Sequence, residues 1–310
     1  MITEIFIVLG VIFLLSLLGY LIPQLIVHFS KPLDLKTRYG GGWAFITGGN
    51  SGIGESFAKK VAKMGFNVAI LGQDQERLNK VEEELKQINS EIKTLAIKAD
   101  LSGDPVQVTK NIVQQLEGLD ISILYFNAGY GRIENAAHPT EKSLIMLCSN
   151  IVTHQYIFQA LYPKLASRKL SDSQRRGAVL FSSSGLAIFA SPIAVVYSAT
   201  KAYMGHLGEC LATEAEQFGV DVVSIYPGIV RTRFGKRDDD AKDLPIKENK
   251  MQNPDSVADR ALSALGRVTR VDSGVAGIMA RLMSKIVDAN LFIKFQQKKN
   301  IKNEKDNKSD

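Results

Sequence analysis

A chain of 310 residues, 45% of them hydrophobic, is long enough to bury a sizeable core in one large domain. The net charge of +6 invites a nucleic-acid partner, but residues 294–310 hold six lysines against three acids and supply half of it. No basic patch interleaved with aromatics occurs elsewhere, so nucleic acid is not expected. Two cysteines, Cys148 and Cys210, make no disulfide framework and have no metal-ligand spacing; no metal is expected, and a reducing compartment is.

Residues 5–27 carry no charge. As a helix they would extend ~34 Å, against a hydrocarbon core of ~30 Å. A cleaved signal peptide fits worse, because "MITE" is not a basic leader and no small-x-small site comes after the run. Residues 1–30 therefore read as a single-pass anchor, which Pro23 kinks or ends. Lys31, Lys36 and Arg38 come after it, which puts the rest of the chain in the cytosol.

From Trp43 onward short apolar strands alternate with amphipathic helices. Strands are expected at 43–47, 67–71, 93–100, 121–129, 178–184 and 220–228, and helices at 55–64, 75–88, 105–118, 141–166 and 195–219. This predicts an α/β, doubly wound parallel sheet over residues 40–272, with ligands beyond the carboxyl ends of the strands. Residues 231–256 are charged and aperiodic, and read as a substrate lid or a disordered loop. A short helix is expected after Pro254. Residues 273–295 form an amphipathic segment that either lies on a bilayer or closes the substrate pocket. Residues 296–310 read as a disordered polar tail.

Between the first strand and the first helix stands "TGGNSGIG" (47–54). Gly48, Gly52 and Gly54 allow a tight turn and close approach of a phosphate, and the helix N-terminus behind them offers free N–H groups and a positive dipole end. Further on, "YSATK" places Tyr197 and Lys201 four residues apart, on one face of a helix.

The glycine turn and the motifs C-terminal to it resemble those of the short-chain dehydrogenase/reductase family over residues 42–232. "FNAG" (126–129) is similar to its N-N-A-G turn, with Phe126 in place of the first Asn. Asp100 matches its adenine-contacting Asp, Asn150 its helix asparagine, and "YPGIVRT" (226–232) its P-G motif. Ser184 lies 13 residues before Tyr197, which is what selects it from the run Ser182–Ser184. Within the family, "GGWAFITGGNSGIG", "LEGLDISILYFNAG", "YSATKAYM" and the N-terminal span resemble the very-long-chain 3-oxoacyl-CoA reductase and 17β-hydroxysteroid dehydrogenase branch.

The resemblance implies the chemistry. Reducing a ketone adds hydride to carbon, from a reduced nicotinamide, and a proton to oxygen. Tyr197 is implied as the acid. Lys201, one turn away, is expected to lower its pKa toward ~7. Ser184 is implied to stabilise the oxygen, and Asn150 to hold a water feeding protons to Lys201. The implied cofactor contacts are Gly48, Asn50, Ser51, Gly52, Ile53, Gly54, Gln73, Asp100, Leu101, Asn127, Ala128, Gly129, Tyr197, Lys201, Pro227, Gly228, Val230 and Thr232. NADP is favoured over NAD, because Gly72 and Gln73 stand where an acid would hold the NAD ribose. His28, His138, His154 and His206 are scattered and receive no catalytic role.

The resulting expectation is a reductase of the endoplasmic reticulum membrane, its catalytic domain facing the cytosol. It would act on a lipid ketone, foremost a very-long-chain 3-oxoacyl-CoA in fatty-acid elongation. A homodimer and elongation partners are implied by the resemblance. A 17β-hydroxysteroid dehydrogenase or 3-ketosphinganine reductase is the enzymatic alternative, and a nucleotide-binding scaffold the non-enzymatic one. The polar C-terminus "NEKDNKSD" departs from the dilysine signal of some members, which leaves the address open.

Overall fold

The computed structural model describes residues 1–171, 173–192, 194–234 and 251–306, with side chains through 299. Strand β1 (Trp43–Thr47) is buried along its whole length. It sits mid-sheet between β2 (Asn67–Gly72) and β4 (Ile121–Phe126), parallel to both. With β3 (Thr94–Lys98), β5 (Gly177–Ser182), β6 (Val220–Pro227) and β7 (Arg270–Ser273) the order is β3-β2-β1-β4-β5-β6-β7, and each adjacent pair is parallel. Strands buried on both faces read as continuous apolar runs, which is why they are legible in the sequence.

Side chains alternate along each strand, so each strand feeds two cores. Ala44 and Ile46 of β1 join the cluster with Phe57, Leu78 and Leu262; Trp43 and Phe45 join the one with Ile112, Leu161 and Met204. The first core is covered by α3 (Gly52–Lys63), α4 (Gln75–Ile88) and α9 (Pro254–Ala264). The second is covered by α5 (Pro105–Gln115), α7 (Thr153–Ala166) and α8 (Val195–Ala215). Asp74 and Asp104 cap α4 and α5 by accepting the N–H groups of Arg77 and Gln107.

Helix α1 is Ile2–Phe29, and Pro23 lies within it without ending it. Residues 1–16 are exposed, whereas Tyr20, Gln24 and Val27 are buried against the domain. The short α2 (Leu35–Tyr39) has no counterpart among the expected elements. It is held by Arg38, whose Nε donates to Asp221 Oδ2 at 2.7 Å, and by the Tyr39 hydroxyl on the same oxygen at 2.7 Å.

Three further elements differ from expectation. The helix expected over 141–166 is α6 (Glu141–Leu147) and α7 joined by a π-helical turn, Cys148–Val152. Strand β7 is not among the expected strands: its four residues, "RVDS", show no period of their own and are held by pairing with β6. The amphipathic segment is α10 (Gly274–Ile286), and α11 (Ala289–Asp306) comes after it, its start capped by Asp288. Residues 296–306, expected as a disordered tail, therefore continue a helix; their Lys, Gln and Glu content favours helix as well as solvation. Most of the expected lid, residues 235–250, lies outside the described residues. Its flanks are tied by backbone pairing between Val230 and Gln252.

Candidate active site

The site forms where the strand order reverses, between β1 and β4, with β5 and β6 beside them. Gly48 and Gly52 both adopt positive φ (67° and 58°), the left-handed region that suits glycine. A Cβ on Gly54 would collide with the Gly48 carbonyl, so the turn closes directly onto the start of α3. Ser51, at the N-cap of α3, makes no side-chain cap bond, and leaves the first-turn N–H groups facing the turn. Thr232 packs on Gly52, which brings the loop after β6 to the same place. This cradle fits a pyrophosphate.

Asn127 fastens the floor. Its Nδ2 donates to the Thr47 carbonyl at 3.1 Å, its Oδ1 accepts from Ser182 Oγ at 3.2 Å, and its N–H donates to Thr47 Oγ1 at 2.9 Å. Phe126 is buried and stacks on Phe181 with ring centroids 5.2 Å apart. At the far end of the cleft Asp100 Oδ1 accepts from Gln73 Nε2 at 2.6 Å and from Ser102 N and Oγ, next to buried Leu101. Gly72 leaves room for Asn50: a Cβ there would overlap the buried Asn50 amide. The missing acid at position 72 thus has a packing cause.

Ser184, Tyr197 and Lys201 converge across β5 and α8. Ser184 caps the 3-10 turn Gly185–Ala187 by accepting the Leu186 N–H at 3.2 Å. Ser198, beside Tyr197, donates to the Leu186 carbonyl at 2.6 Å and locks that turn to the first turn of α8. Lys201 is buried, and its ammonium donates to the Ser182 carbonyl at 3.0 Å, 5.9 Å from the centroid of the Tyr197 ring.

The expected effect of Lys201 on Tyr197 is not what sets the phenol's acidity. Crowding of its hydroxyl end pushes Tyr197 up to about 12, with the Ser184 hydroxyl pulling the other way, although the ring as a whole is only half-buried. The same desolvation lowers Lys201 to about 8. Burial disfavours the charged form of both groups, and at Tyr197 it outweighs the Ser184 hydrogen bond. The protein's own groups hold Tyr197 protonated.

Asn150 lies in the π-helical turn, a local change of helix geometry often found at functional sites. Its side chain is fully occupied. Oδ1 accepts the Tyr130 N–H at 2.7 Å, and Nδ2 donates to the Tyr130 carbonyl at 2.8 Å and to Thr200 Oγ1 at 3.0 Å. It therefore clamps the loop after β4 to α8. A Cβ on Gly129 would meet Lys201 Nζ at 3.1 Å and Asn150 Oδ1 at 3.4 Å, so that glycine keeps a gap between them open. Ala128 lies beside Gly48; Gly228, next to Pro227, abuts Gly277 of α10, and Ile53 packs on the core under the turn.

One residue given no role in the sequence supports the site without entering its chemistry. His154 is buried in α7 and reaches both Thr47 Oγ1 (3.0 Å) and the Asn150 carbonyl (3.2 Å). Its place four residues after Asn150, one helical turn on, is the available signal.

The family model for short chain dehydrogenase matches residues 42–243. The chain belongs to the short-chain dehydrogenase family. A very-long-chain 3-oxoacyl-CoA reductase of Macaca fascicularis is 32% identical over 214 residues, 67% of this chain; the match spans 65% of that relative's length. A structure of a 7beta-hydroxysteroid dehydrogenase superposes with TM-score 0.68 at 28% identity, covering 80% of this chain and 93% of that one. Two further solved structures are 25% identical. One is an alcohol dehydrogenase from Thermococcus sibiricus complexed with 5-hydroxy-NADP (TM-score 0.62; 75% of this chain, 95% of that one). The other is a 3-ketoacyl-(acyl-carrier-protein) reductase from Brucella melitensis complexed with NADH (TM-score 0.63; 76% and 97%).

Proposed function

We propose that the protein is a membrane-anchored, NADPH-dependent reductase of a lipid ketone, its foremost substrate a very-long-chain 3-oxoacyl-CoA. The observation that carries this reading is the union, in one chain, of a Ser184–Tyr197–Lys201 set with an apolar helix exposed over residues 2–16. That surface suits a bilayer, and a bilayer suits an enzyme whose substrate is itself apolar. The macaque relative's name supports the acyl-CoA, and the 7beta-hydroxysteroid dehydrogenase keeps a steroid as the second reading.

When bound, the reduced nicotinamide supplies the hydride. The chain's own residues do the rest. Tyr197 gives its proton to the oxygen, and Ser184 donates a hydrogen bond to the same atom as charge grows there. Lys201, an ammonium with three donors, spends one on Ser182 and has others for ribose hydroxyls and a water in the gap beside Gly129. The glycine turn and α3 hold the pyrophosphate. The lack of an acid at Gly72 and Gln73 supports NADP over NAD. The reading includes residence in the endoplasmic reticulum, work in fatty-acid elongation, and a homodimer through α7 and α8.

NADPH consumption by the detergent-solubilised full chain tests this, with 3-oxoacyl-CoAs, 3-ketosphinganine and oestrone offered side by side. Turnover of the acyl-CoA well above the other two is expected. Exclusive turnover of oestrone would replace the substrate, and turnover of none with NADPH or NADH would remove the reductase reading.

A further inference from the structure

Helix α1 does not leave the domain where the charged flank begins. Val27, Gln24, Tyr20 and Ser16 lie at helical spacings of three and four, and this face runs along the sheet edge. Below it, α2 is fixed at Asp221, the second residue of β6. Higher up, Gln24 Oε1 accepts from Arg260 at 2.8 Å, and Gln24 Nε2 donates to the Arg270 carbonyl at the start of β7. Highest, Lys285 Nζ of α10 reaches Ser16 Oγ at 3.3 Å and lies over the Tyr20 ring at 5.9 Å. Helix α1 therefore climbs from the amino ends of the strands toward their carboxyl ends, and its exposed part departs on the active-site side.

That exposed part, residues 2–16, is only ~22 Å long at 1.5 Å per residue, about 8 Å short of a ~30 Å hydrocarbon core. Helix α10, touching α1 at Ser16, carries an apolar stripe that covers the deficit. Val275, Met279, Met283 and Ile286 recur at spacings of four, four and three, and all are exposed, from 43% at Met283 to 79% at Val275. Charges on α10 point elsewhere: Arg281 to Asp272 at 3.2 Å, and Lys285 to α1. An amphipathic helix sinks ~5–10 Å into the headgroup–acyl boundary, which matches the shortfall. Helix α11 continues the surface with exposed Leu291 and Phe295 and with Lys294, Lys298 and Lys299 for anionic headgroups.

We infer that the Val275–Met279–Met283–Ile286 face of α10 is embedded in the leaflet beside α1, so that the substrate mouth borders the bilayer itself. The mouth is within reach of that face. Gly277 of α10 packs against Gly185 and Gly228, Phe292 of α11 stacks on Phe189 at 4.3 Å, and Leu186, two residues from Ser184, is exposed. A lipid chain would then pass from leaflet to Ser184 and Tyr197 without crossing water.

This inference rests on the membrane reading of α1, and the test separates the two. In the full chain with Cys148→Ser and Cys210→Ser, an environment-sensitive fluorophore is placed singly at Met279→Cys, Met283→Cys, Leu9→Cys and Lys169→Cys. The protein is reconstituted into phosphatidylcholine–phosphatidylserine vesicles containing lipids spin-labelled at shallow or deep acyl positions. Labels at 279 and 283 are expected to blue-shift and lose most of their emission to the shallow quencher, the label at 9 to the deep one, and the label at 169 to neither. Quenching at 9 with none at 279 and 283 overturns the inference and leaves the anchor standing. No quenching at 9 overturns both.

Discussion

The imidazole of His154 stands 3.0 Å from the hydroxyl of Thr47 and joins the helix that carries Asn150 to the strand that opens the glycine turn. Its Nδ1 faces the Asn150 carbonyl at 3.2 Å, which can only accept, so Nδ1 bears the proton and Nε2 accepts from Thr47. Thr47 Oγ1 is then free to accept both the Asn127 and Ala128 N–H groups, at 2.9 and 3.0 Å. One neutral ring thus holds the π-helical turn and the cofactor floor in register.

That arrangement needs a neutral ring, and burial lowers His154 to about 4. The folded-state pKa lies below the unfolded value of ~6.5, so the unfolded chain binds the proton first as pH falls. Stability is lost between about pH 6.5 and 4, by up to roughly 3 kcal/mol. His154→Leu removes this loss but deletes the ring's two hydrogen bonds, to the Thr47 hydroxyl and to the Asn150 carbonyl, at a cost of ~1–3 kcal/mol. Melting curves should place the variant well below wild type at pH 7.5 and much closer to it at pH 5. A pH-independent gap would show that the ring titrates normally.

Tyr197→Phe keeps the ring against Phe234, whose centroid is 5.4 Å away, and deletes the acid. Ketone reduction should fall by ~10²–10⁴, the range for a general acid. Binding of NADPH, followed by its fluorescence, should change little. Equal turnover of the two proteins would assign the proton to another group.

If the proposed reduction holds, its alkaline limb is expected to follow Lys201 rather than Tyr197. Lys201 loses its charge near pH 8, whereas Tyr197 keeps its proton to about 12. As pH rises through 8, kcat/KM should therefore fall while the acid is still protonated. Lys201→Arg, always charged, should move that limb upward if the variant retains turnover. A wild-type limb above pH 10 would reassign it.

The sheet and the glycine turn are legible in the sequence because both are written in short-range pattern: apolar runs, glycines at fixed intervals, and a 13-residue separation of Ser184 from Tyr197. The illegible parts depend on partners distant in sequence. Strand β7 exists because β6 offers an edge. The π-helical turn at Asn150 is a one-residue slip of hydrogen bonding between two helices that the sequence reads as one, 141–166. Ser16, Tyr20 and Gln24 are polar side chains spaced by four in an otherwise apolar run, which marks one helix face, but the groups that face docks on, Arg260 and Lys285, lie more than 230 residues on. The direction of the Tyr197 shift is hidden for a similar reason, since spacing shows which charges are near but not how dry their surroundings are.

Cofactor choice is expected to turn on Gln73 rather than Gly72. An acid at 72 would have to displace Asn50, which is buried over that glycine, so the informative change is one position later. Gln73 now donates to Asp100 at 2.6 Å, at the adenine end of the cleft. Gln73→Glu gives up that donor and sets a second carboxylate beside Asp100. It would repel a 2′-phosphate yet accept from a 2′-hydroxyl. The ratio of kcat/KM for NADPH to that for NADH should drop by about tenfold or more, equivalent to ~1.4 kcal/mol or above, with the change carried by KM for NADPH. Wild-type protein should favour NADPH at the start. If it favours NADH, or if the substitution leaves the ratio unmoved, the 2′ position of the ribose is read by other residues.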